Sequence, residues 1–167
     1  MVFCAVLVAM EVVLSRFLSF NVWNQKIGIS FVAVAMAGIL FGPVGGAVVG
    51  GLADFIGAIL FPIGTYFPGF TLTAALTGMC FGFFLKSKKD FRRDNKKIMI
   101  RTVLCAVINQ LAGSLLLNTL WISVLYGTPF RELLVTRLVQ CAIMIPLEII
   151  IIPFLIKLSL KINIKTN

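Results

Sequence analysis

Histidine is absent from this 167-residue sequence, and acidic residues are scarce, with six Asp and Glu together. Without imidazole, a histidine general base and a His-ligated metal site are both excluded. The sequence also contains no G-x-x-x-x-G-K-[ST] phosphate loop, no H-E-x-x-H motif, no clustered acids, and no Ser or Cys nucleophile beside a base. These absences argue against an enzyme, and no catalytic residue, metal site or cofactor is predicted.

Charge of either sign is also limited, since charged residues make up 13% of the chain and hydrophobic residues 60%. Such a composition is far too apolar for a soluble domain and predicts an integral membrane protein. The four cysteines stand singly in apolar segments and are interpreted as free thiols. The excess of 15 Lys and Arg over six acidic residues is interpreted as a signal of orientation and of contact with anionic headgroups of the lipid bilayer, and no nucleic-acid partner is expected.

Six apolar segments follow one another, each bounded by Gly, Pro or charge. They cover residues 2–20, 27–41, 44–60, 70–85, 98–124 and 133–156. A helix needs about 20 residues to cross the hydrocarbon core, so a re-entrant hairpin around Gly42-Pro43 is an alternative for the short second and third segments. The first segment is expected to be a retained span, because no cationic stretch precedes it. The predicted fold is an all-α membrane protein of six transmembrane helices, with one domain over residues 1–167.

The basic residues predict the orientation of these spans. Eight Lys and Arg lie between residues 86 and 101, and three more lie in the C-terminal tail. The positive-inside rule places both regions in the cytoplasm. Six spans then place the N-terminus in the cytoplasm as well, and the connections 21–26, 61–69 and 125–132 outside.

Four cations lie near the predicted outer connections, where the orientation rule does not explain them: Arg16, Lys26, Arg131 and Arg137. All Trp and Tyr residues fall on the same side, and residues 61–70 combine two Pro, two Gly and four aromatic rings. One-sided clustering of cations and aromatics predicts an outward-facing pocket for an anionic, planar solute. An interfacial aromatic belt is the alternative.

Polar residues inside the last two spans fall on helical faces. The fifth span carries Gln110, Ser114, Asn118 and Trp121, and the sixth carries Arg137, Cys141, Met144 and Glu148 with Gln140 beside them. Ligand contact is predicted for Asn118, Trp121 and Arg137, whereas contact between helices is the alternative for Gln110 and Ser114. The isolated acids Glu11 and Asp54 receive no role.

Small residues four positions apart define a different kind of surface. Such pairs are Ala5 with Ala9, Ala33 with Ala37, and Gly46 with Gly50. They predict either close approach of helices within the chain or a groove for another membrane subunit.

Several motifs along nearly the whole chain together resemble one family. They are Phe41-Gly42-Pro43, the Gly-rich third span with Asp54, residues 66–72 (YFPGFTL), residues 117–121 (LNTLW), and Arg137 with Pro146. The chain resembles the substrate-binding S components of energy-coupling-factor (ECF) vitamin transporters, most closely the folate-specific members.

The resemblance implies six helices in the bacterial plasma membrane, with both termini inside and the vitamin captured from outside. It further implies a coupling subunit in the membrane, docked through Ala5 and Ala9, and two ATPase subunits that use ATP. Folate would meet the cations Arg16, Lys26, Arg131 and Arg137 through its carboxylates. Its rings would contact Phe67, Phe70, Asn118, Trp121 and Tyr126. The alternatives are another planar vitamin, such as thiamine or riboflavin, and a membrane scaffold or assembly protein.

Overall fold

A computed structural model describes residues 2–22, 25–62, 64–86 and 95–164, with the backbone alone for 20–22, 25–27 and 160–164. These ranges contain six helices and one antiparallel hairpin of two strands. The helices are α1 (Val2–Phe17), α2 (Phe31–Phe41), α3 (Pro43–Leu60), α4 (Pro68–Leu85), α5 (Asn95–Tyr126) and α6 (Phe130–Ile164). The strands are β1 (Ser19–Val22) and β2 (Gln25–Gly28).

Four of the predicted spans are confirmed as helices long and apolar enough to cross a membrane. They are α3, α4, α5 and the part Phe130–Ser159 of α6. Helices α1 and α2 are shorter, at 16 and 11 residues. Large apolar side chains cover the perimeter of the bundle; Val2, Phe83 and Ile150 are each more than 70% exposed, at 78%, 73% and 74%. This surface suits lipid, which requires apolar side chains outside and internally bonded backbone.

The prediction was wrong where the first two spans meet. Helix α1 ends at Phe17 instead of residue 20, and residues 27 and 28, predicted as helical, belong to β2. In the hairpin Ser19 pairs with Gly28 and Asn21 with Lys26. A short apolar run fits a strand as well as a helix, so the sequence pattern did not separate the two.

The two ends of the bundle differ in chemistry. Helices α1, α3 and α5 finish, and α2, α4 and α6 begin, at the end that carries the β-hairpin and residues 61–67; we call it the hairpin end. Lys86, Lys96, Lys97 and Arg101 lie at the opposite, basic end. Tightly buried Phe81, Leu85, Ile98, Ile152 and Ile156 fill the half toward the basic end.

Helices α3 and α4 touch through their backbones. A Cβ built on Gly46 would overlap the carbonyl oxygen of Gly78, and a Cβ built on Gly78 would overlap that of Gly46. One turn further along α3, a Cβ on Gly50 would lie 2.5 Å from the carbonyl oxygen of Ala74. The close helix approach predicted from Gly46 and Gly50 is therefore confirmed, and it fixes the two helices that carry one wall of the site.

Candidate functional site

A cavity of about 410 Å³ opens between the helices in the half of the bundle near the hairpin end. Residues from all six helices line it, together with residues of the 61–67 segment. Its volume falls within the roughly 300–1,000 Å³ typical of small-molecule sites. The charged side chains in the lining are Glu11, Arg16, Asp54 and Arg137.

Arg16 stands at the mouth of the cavity, on the last turn of α1. Its guanidinium packs on Gly57, where a Cβ would lie 2.9 Å from Nε. Next to it, the ring of Phe17 packs edge-on against Phe61, with ring centroids 5.4 Å apart. The Nε group is buried and has no hydrogen-bond partner among the described residues. A buried N–H without a partner can donate a hydrogen bond to a carboxylate oxygen of a ligand.

Arg137 lies deeper, on α6, and its side chain is 5% exposed. Its Nη1 donates to the carbonyl oxygen of Ser114 at 3.1 Å and approaches the Ser114 hydroxyl at 3.5 Å. Ser114 lies in Asn109–Asn118, a part of α5 with π-helical geometry, which is frequent at functional sites. Asn118, at the end of that segment, also lines the cavity. The fifth helix thus anchors the arginine and supplies an amide to the same wall.

Aromatic rings form a second wall, built on the start of α4. Phe67 lies between Phe70 and Trp121, with ring centroids 6.2 and 5.6 Å away. The indole Nε1 of Trp121 donates to Thr73 Oγ1 at 3.0 Å. The indole also lies against Gly69, where a Cβ would come within 2.6 Å of it. Phe67 and Phe70 line the cavity, and Trp121 packs against Phe67 from outside the lining.

The 61–67 segment is tied to the helices by polar side chains. Asp54 accepts a hydrogen bond from Thr71 Oγ1 at 2.8 Å, and the Thr71 hydroxyl lies 3.3 Å from the Tyr66 hydroxyl. Gly64 of the same segment lies close to α5, since a Cβ built on it would be 3.3 Å from the Tyr126 hydroxyl. Asp54 therefore helps to hold this segment over the cavity.

Polar groups nearer the basic end connect α5 to α6. Gln110 donates through Nε2 to the buried carboxylate of Glu148, and Cys141 Sγ donates to the carbonyl oxygen of Gln110 at 3.6 Å. Ser114 is bonded to Arg137 as described. Gln110 and Ser114 thus contact the neighbouring helix, which was the alternative to ligand contact for these two residues.

The structure brings most of the predicted binding residues to the cavity. Its lining includes Arg16, Phe67, Phe70, Asn118, Tyr126 and Arg137. Trp121 lies behind the aromatic wall, Arg131 lies exposed on the first turn of α6 outside the lining, and the side chain of Lys26 is outside the described part. Ligand contact by these residues stays a prediction.

Several lining residues carry no role in the sequence predictions, including Glu11, Asp54, Thr77 and Gln140. For the two acids a signal existed, because a charge within an apolar span is costly and indicates function. For Thr77 no sequence signal distinguishes it from a residue that contacts another helix.

A second concave surface lies between α1 and α3 and has a volume of about 580 Å³. It is almost entirely apolar, and we call it the α1–α3 groove. Its lining contains Ala5, Ala9, Val48 and Leu52. Both alanines are exposed, so the other described helices of this chain do not cover this small-residue pair.

Comparison with known proteins agrees with this architecture. Residues 1–156 match the family model of the ECF transporter, substrate-specific component. The chain is 40% identical to the folate transporter FolT of Clostridium novyi over 153 residues, covering 91% of this chain and 84% of that protein. It is 27% identical over 160 residues to FolT of Leuconostoc mesenteroides, covering 93% and 83% of the two chains.

A solved structure is similar over nearly the whole fold. The crystal structure of FolT bound with folic acid superposes with a TM-score of 0.83 at 31% identity, covering 93% of this chain and 92% of that one. The family consists of transporter components and not of enzymes. The chain therefore belongs to the substrate-specific components of ECF transporters, as a multi-pass protein of the cell membrane.

Proposed function

We propose that this chain captures folate at the outer face of the bacterial membrane and delivers it inward when docked on an ATP-driven coupling module. The observation that carries the proposal is the cavity near the hairpin end, where Arg16 and Arg137 share a lining with Phe67, Phe70 and Tyr126. Folate has two flat ring systems and a glutamate tail with two carboxylates, so it needs both kinds of contact. The similarity to a FolT that binds folic acid supports this choice.

The orientation follows from the charges. Lys86, Lys96, Lys97, Arg101 and Lys157 lie toward the basic end, and such residues favour the cytoplasmic side. In our proposal all six helices take part in the crossing, both termini are cytoplasmic, and the cavity opens to the outside. The protein itself needs no cofactor, because ATP is used by the partner subunits.

Folic acid is expected to copurify with the protein in detergent and to give a pterin absorption band. Added to ligand-free protein, it should quench the fluorescence of Trp121, which lies one ring behind the cavity. At a concentration of 100 times the Kd it should stabilise the fold by about 2.7 kcal/mol. A Trp23→Phe background isolates the Trp121 signal.

Thiamine and riboflavin at the same concentration serve as controls, and neither should compete with folic acid. Competition by either vitamin would assign the cavity to another planar ligand. Absence of any band, quenching or thermal shift would favour a scaffold protein and would refute the proposal.

Docking on the coupling subunit is proposed to use the α1–α3 groove. The exposed Ala5 and Ala9 leave this apolar surface accessible, so the helix of a partner could approach the backbone of α1 closely. The two ATPase subunits would attach to the coupling subunit rather than to this chain.

An Ala9→Trp variant is expected to lose complex formation with the coupling module and to keep folic acid binding. The indole would fill the α1–α3 groove, which shares no lining residue with the cavity. The matched control is Val6→Trp, because Val6 is 57% exposed on the same helix but does not line the groove. Copurification with the tagged coupling module reports docking. Loss of docking in both variants would contradict the role of the groove.

A further inference from the structure

Thr73 is a buried polar residue in the wall of the cavity, near the start of α4. Its side chain is 4% exposed and belongs to the lining. The Oγ1 hydroxyl donates to the carbonyl oxygen of Gly69 at 3.0 Å and accepts from the indole Nε1 of Trp121 at 3.0 Å. A hydroxyl has one donor and two acceptor sites, so both bonds form together. Thr73 therefore connects the first turn of α4 to Trp121 on α5.

The hydroxyl of Thr73 is held in one orientation. The methyl group lies beside α5, since a Cβ built on Gly113 would be 3.8 Å from Thr73 Cγ2. The hydroxyl is bonded to Gly69 on its own helix. A β-branched side chain with both substituents placed in this way has a fixed χ1. The acceptor offered to Trp121 therefore occupies a fixed position.

Gly69 provides the space in which two rings meet. It is buried, and a Cβ there would lie 2.6 Å from Phe67 Cε1 and 2.6 Å from Trp121 Cδ2. Above it the rings of Phe67 and Trp121 pack with centroids 5.6 Å apart and planes tilted by 45°. The indole is therefore held at its nitrogen by Thr73, and along its ring by Gly69 and Phe67.

Phe67 is the ring of this group that reaches the cavity. It belongs to the lining, whereas Trp121 lies outside the described lining. The backbone of Phe67 is extended, at a φ of −134° and a ψ of 123°, immediately before α4 begins at Pro68. Its ring packs against Trp121 on one side and Phe70 on the other. A planar ligand that stacks on Phe67 thus meets a surface whose position depends on Trp121.

We infer that Thr73 is a positioning residue for ligand binding, which acts through Trp121 and Phe67. Its hydroxyl fixes the indole, the indole supports the Phe67 ring, and that ring stacks on the planar part of the ligand. Trp121 contributes to binding without contacting the ligand. This inference rests on the proposed function, because it explains how the aromatic wall of that same site is held in place.

Two substitutions of Thr73 test the role of its hydroxyl. Thr73→Val removes the hydroxyl and keeps the shape of the side chain, whereas Thr73→Ser keeps the hydroxyl. Thr73→Val should weaken folic acid binding by about tenfold, because the indole N–H loses its acceptor. Thr73→Ser should stay within about threefold of the parent protein. Isothermal titration in detergent measures the affinities, and equal losses in the two variants would overturn the role of the hydroxyl.

A double-mutant cycle separates an effect through Trp121 from direct contact of Thr73 with the ligand. Trp121→Phe keeps an aromatic ring but has no N–H to donate. In this background Thr73→Val should change folic acid affinity by less than about threefold, because the bond that it would break is already absent. A tenfold loss that persists in the Trp121→Phe background would contradict the inference.

The indole N–H reports the bond directly and without a ligand. The chain has two Trp residues, so in a Trp23→Phe background the remaining indole N–H resonance belongs to Trp121. In nuclear magnetic resonance spectra of the detergent-solubilised protein, this resonance should shift in Thr73→Val and stay in place in Thr73→Ser. An unchanged resonance in Thr73→Val would refute the bond on which the inference depends.

Thr102→Val is the matched control for the loss of a buried threonine hydroxyl. Thr102 is 0% exposed and lies outside the described lining of the cavity. Its substitution should change neither the Trp121 resonance nor folic acid affinity by more than about threefold. An effect as large as that of Thr73→Val would show that any buried threonine has the same influence, and the specific role of Thr73 would fail.

The outcomes for the inference and for the proposed function are distinct. If the parent protein and Thr73→Val bind folic acid equally, the inference fails and the proposed function stands. If Thr73→Val does not fold, Trp121→Phe removes the donor of the same bond and should itself weaken binding by about tenfold; unchanged affinity there would overturn the inference. If the parent protein does not bind folic acid, the proposed function fails, and the inference fails with it.

Discussion

Gly46→Ala is expected to destabilise the protein by at least about 3 kcal/mol, the upper end of the usual cost of overpacking. The added methyl group would overlap the carbonyl oxygen of Gly78. That oxygen belongs to the backbone of α4, so relief requires the whole helix to move away from α3. The measurement is the thermal unfolding of the detergent-solubilised protein, together with its elution as a single species.

Gly51→Ala provides the matched control on the same helix. A Cβ there would lie 3.4 Å from the Cβ of Ala75, an ordinary van der Waals contact. This variant should unfold within a few degrees of the parent protein. Equal unfolding temperatures for Gly46→Ala and Gly51→Ala would show that α3 and α4 do not meet through their backbones.

Arg137→Ala is expected to weaken folic acid binding by about 30-fold or more, which corresponds to the 2–5 kcal/mol seen when one partner of a buried charged contact is truncated. The change removes a buried guanidinium from a lining that also contains the buried acid Glu11. Arg137→Lys should recover only part of the affinity, because an ammonium lacks the planar fork of the guanidinium. Quenching of Trp121 fluorescence measures the affinity of each variant.

Arg131→Ala tests whether a positive charge near the cavity, rather than in its lining, affects folic acid affinity. Arg131 lies on the first turn of the same helix, exposed and outside the cavity lining. Its removal should change folic acid affinity by less than about threefold, as expected for a screened surface charge. An effect of Arg131→Ala as large as that of Arg137→Ala would place the carboxylate-binding region at the surface.

Residues with strong backbone preferences made much of the fold predictable. Gly42-Pro43 separates two helices as expected, with Gly42 at a φ of 85° and Pro43 in the first turn of α3. Pro68 begins α4 in the same way. Because Pro fixes φ and Gly tolerates positive φ, these residues mark helix ends whatever surrounds them.

The features that the sequence did not reveal depend on partners distant in the chain. Residues 25–28 became a strand because residues 19–22 lie beside them. The π-helical geometry of Asn109–Asn118 accompanies contacts of α5 with α6, such as that of Ser114 with Arg137. Neither local propensity nor periodicity contains this information.

The candidate site, like the fold, was predictable from the sequence only in part. Unexplained cations and aromatics led to Arg16, Phe67 and Arg137, because such residues are anomalous at their place in an apolar chain. Arg131 met the same criterion and lies outside the cavity lining. The position of a residue along a span predicts its depth in the membrane. It does not predict whether the side chain projects into the cavity or away from it.

The charge balance of the cavity has an electrical consequence for transport. Its described lining contains Arg16 and Arg137 against Glu11 and Asp54, so the formal charges of these four side chains cancel. A folate dianion would add two negative charges that this lining does not neutralise. Carrying each of them toward an inside-negative cytoplasm requires about 2.3 kcal/mol per 100 mV. Uptake would therefore move charge against the membrane voltage, and ATP hydrolysis by the partner subunits would supply that electrical work.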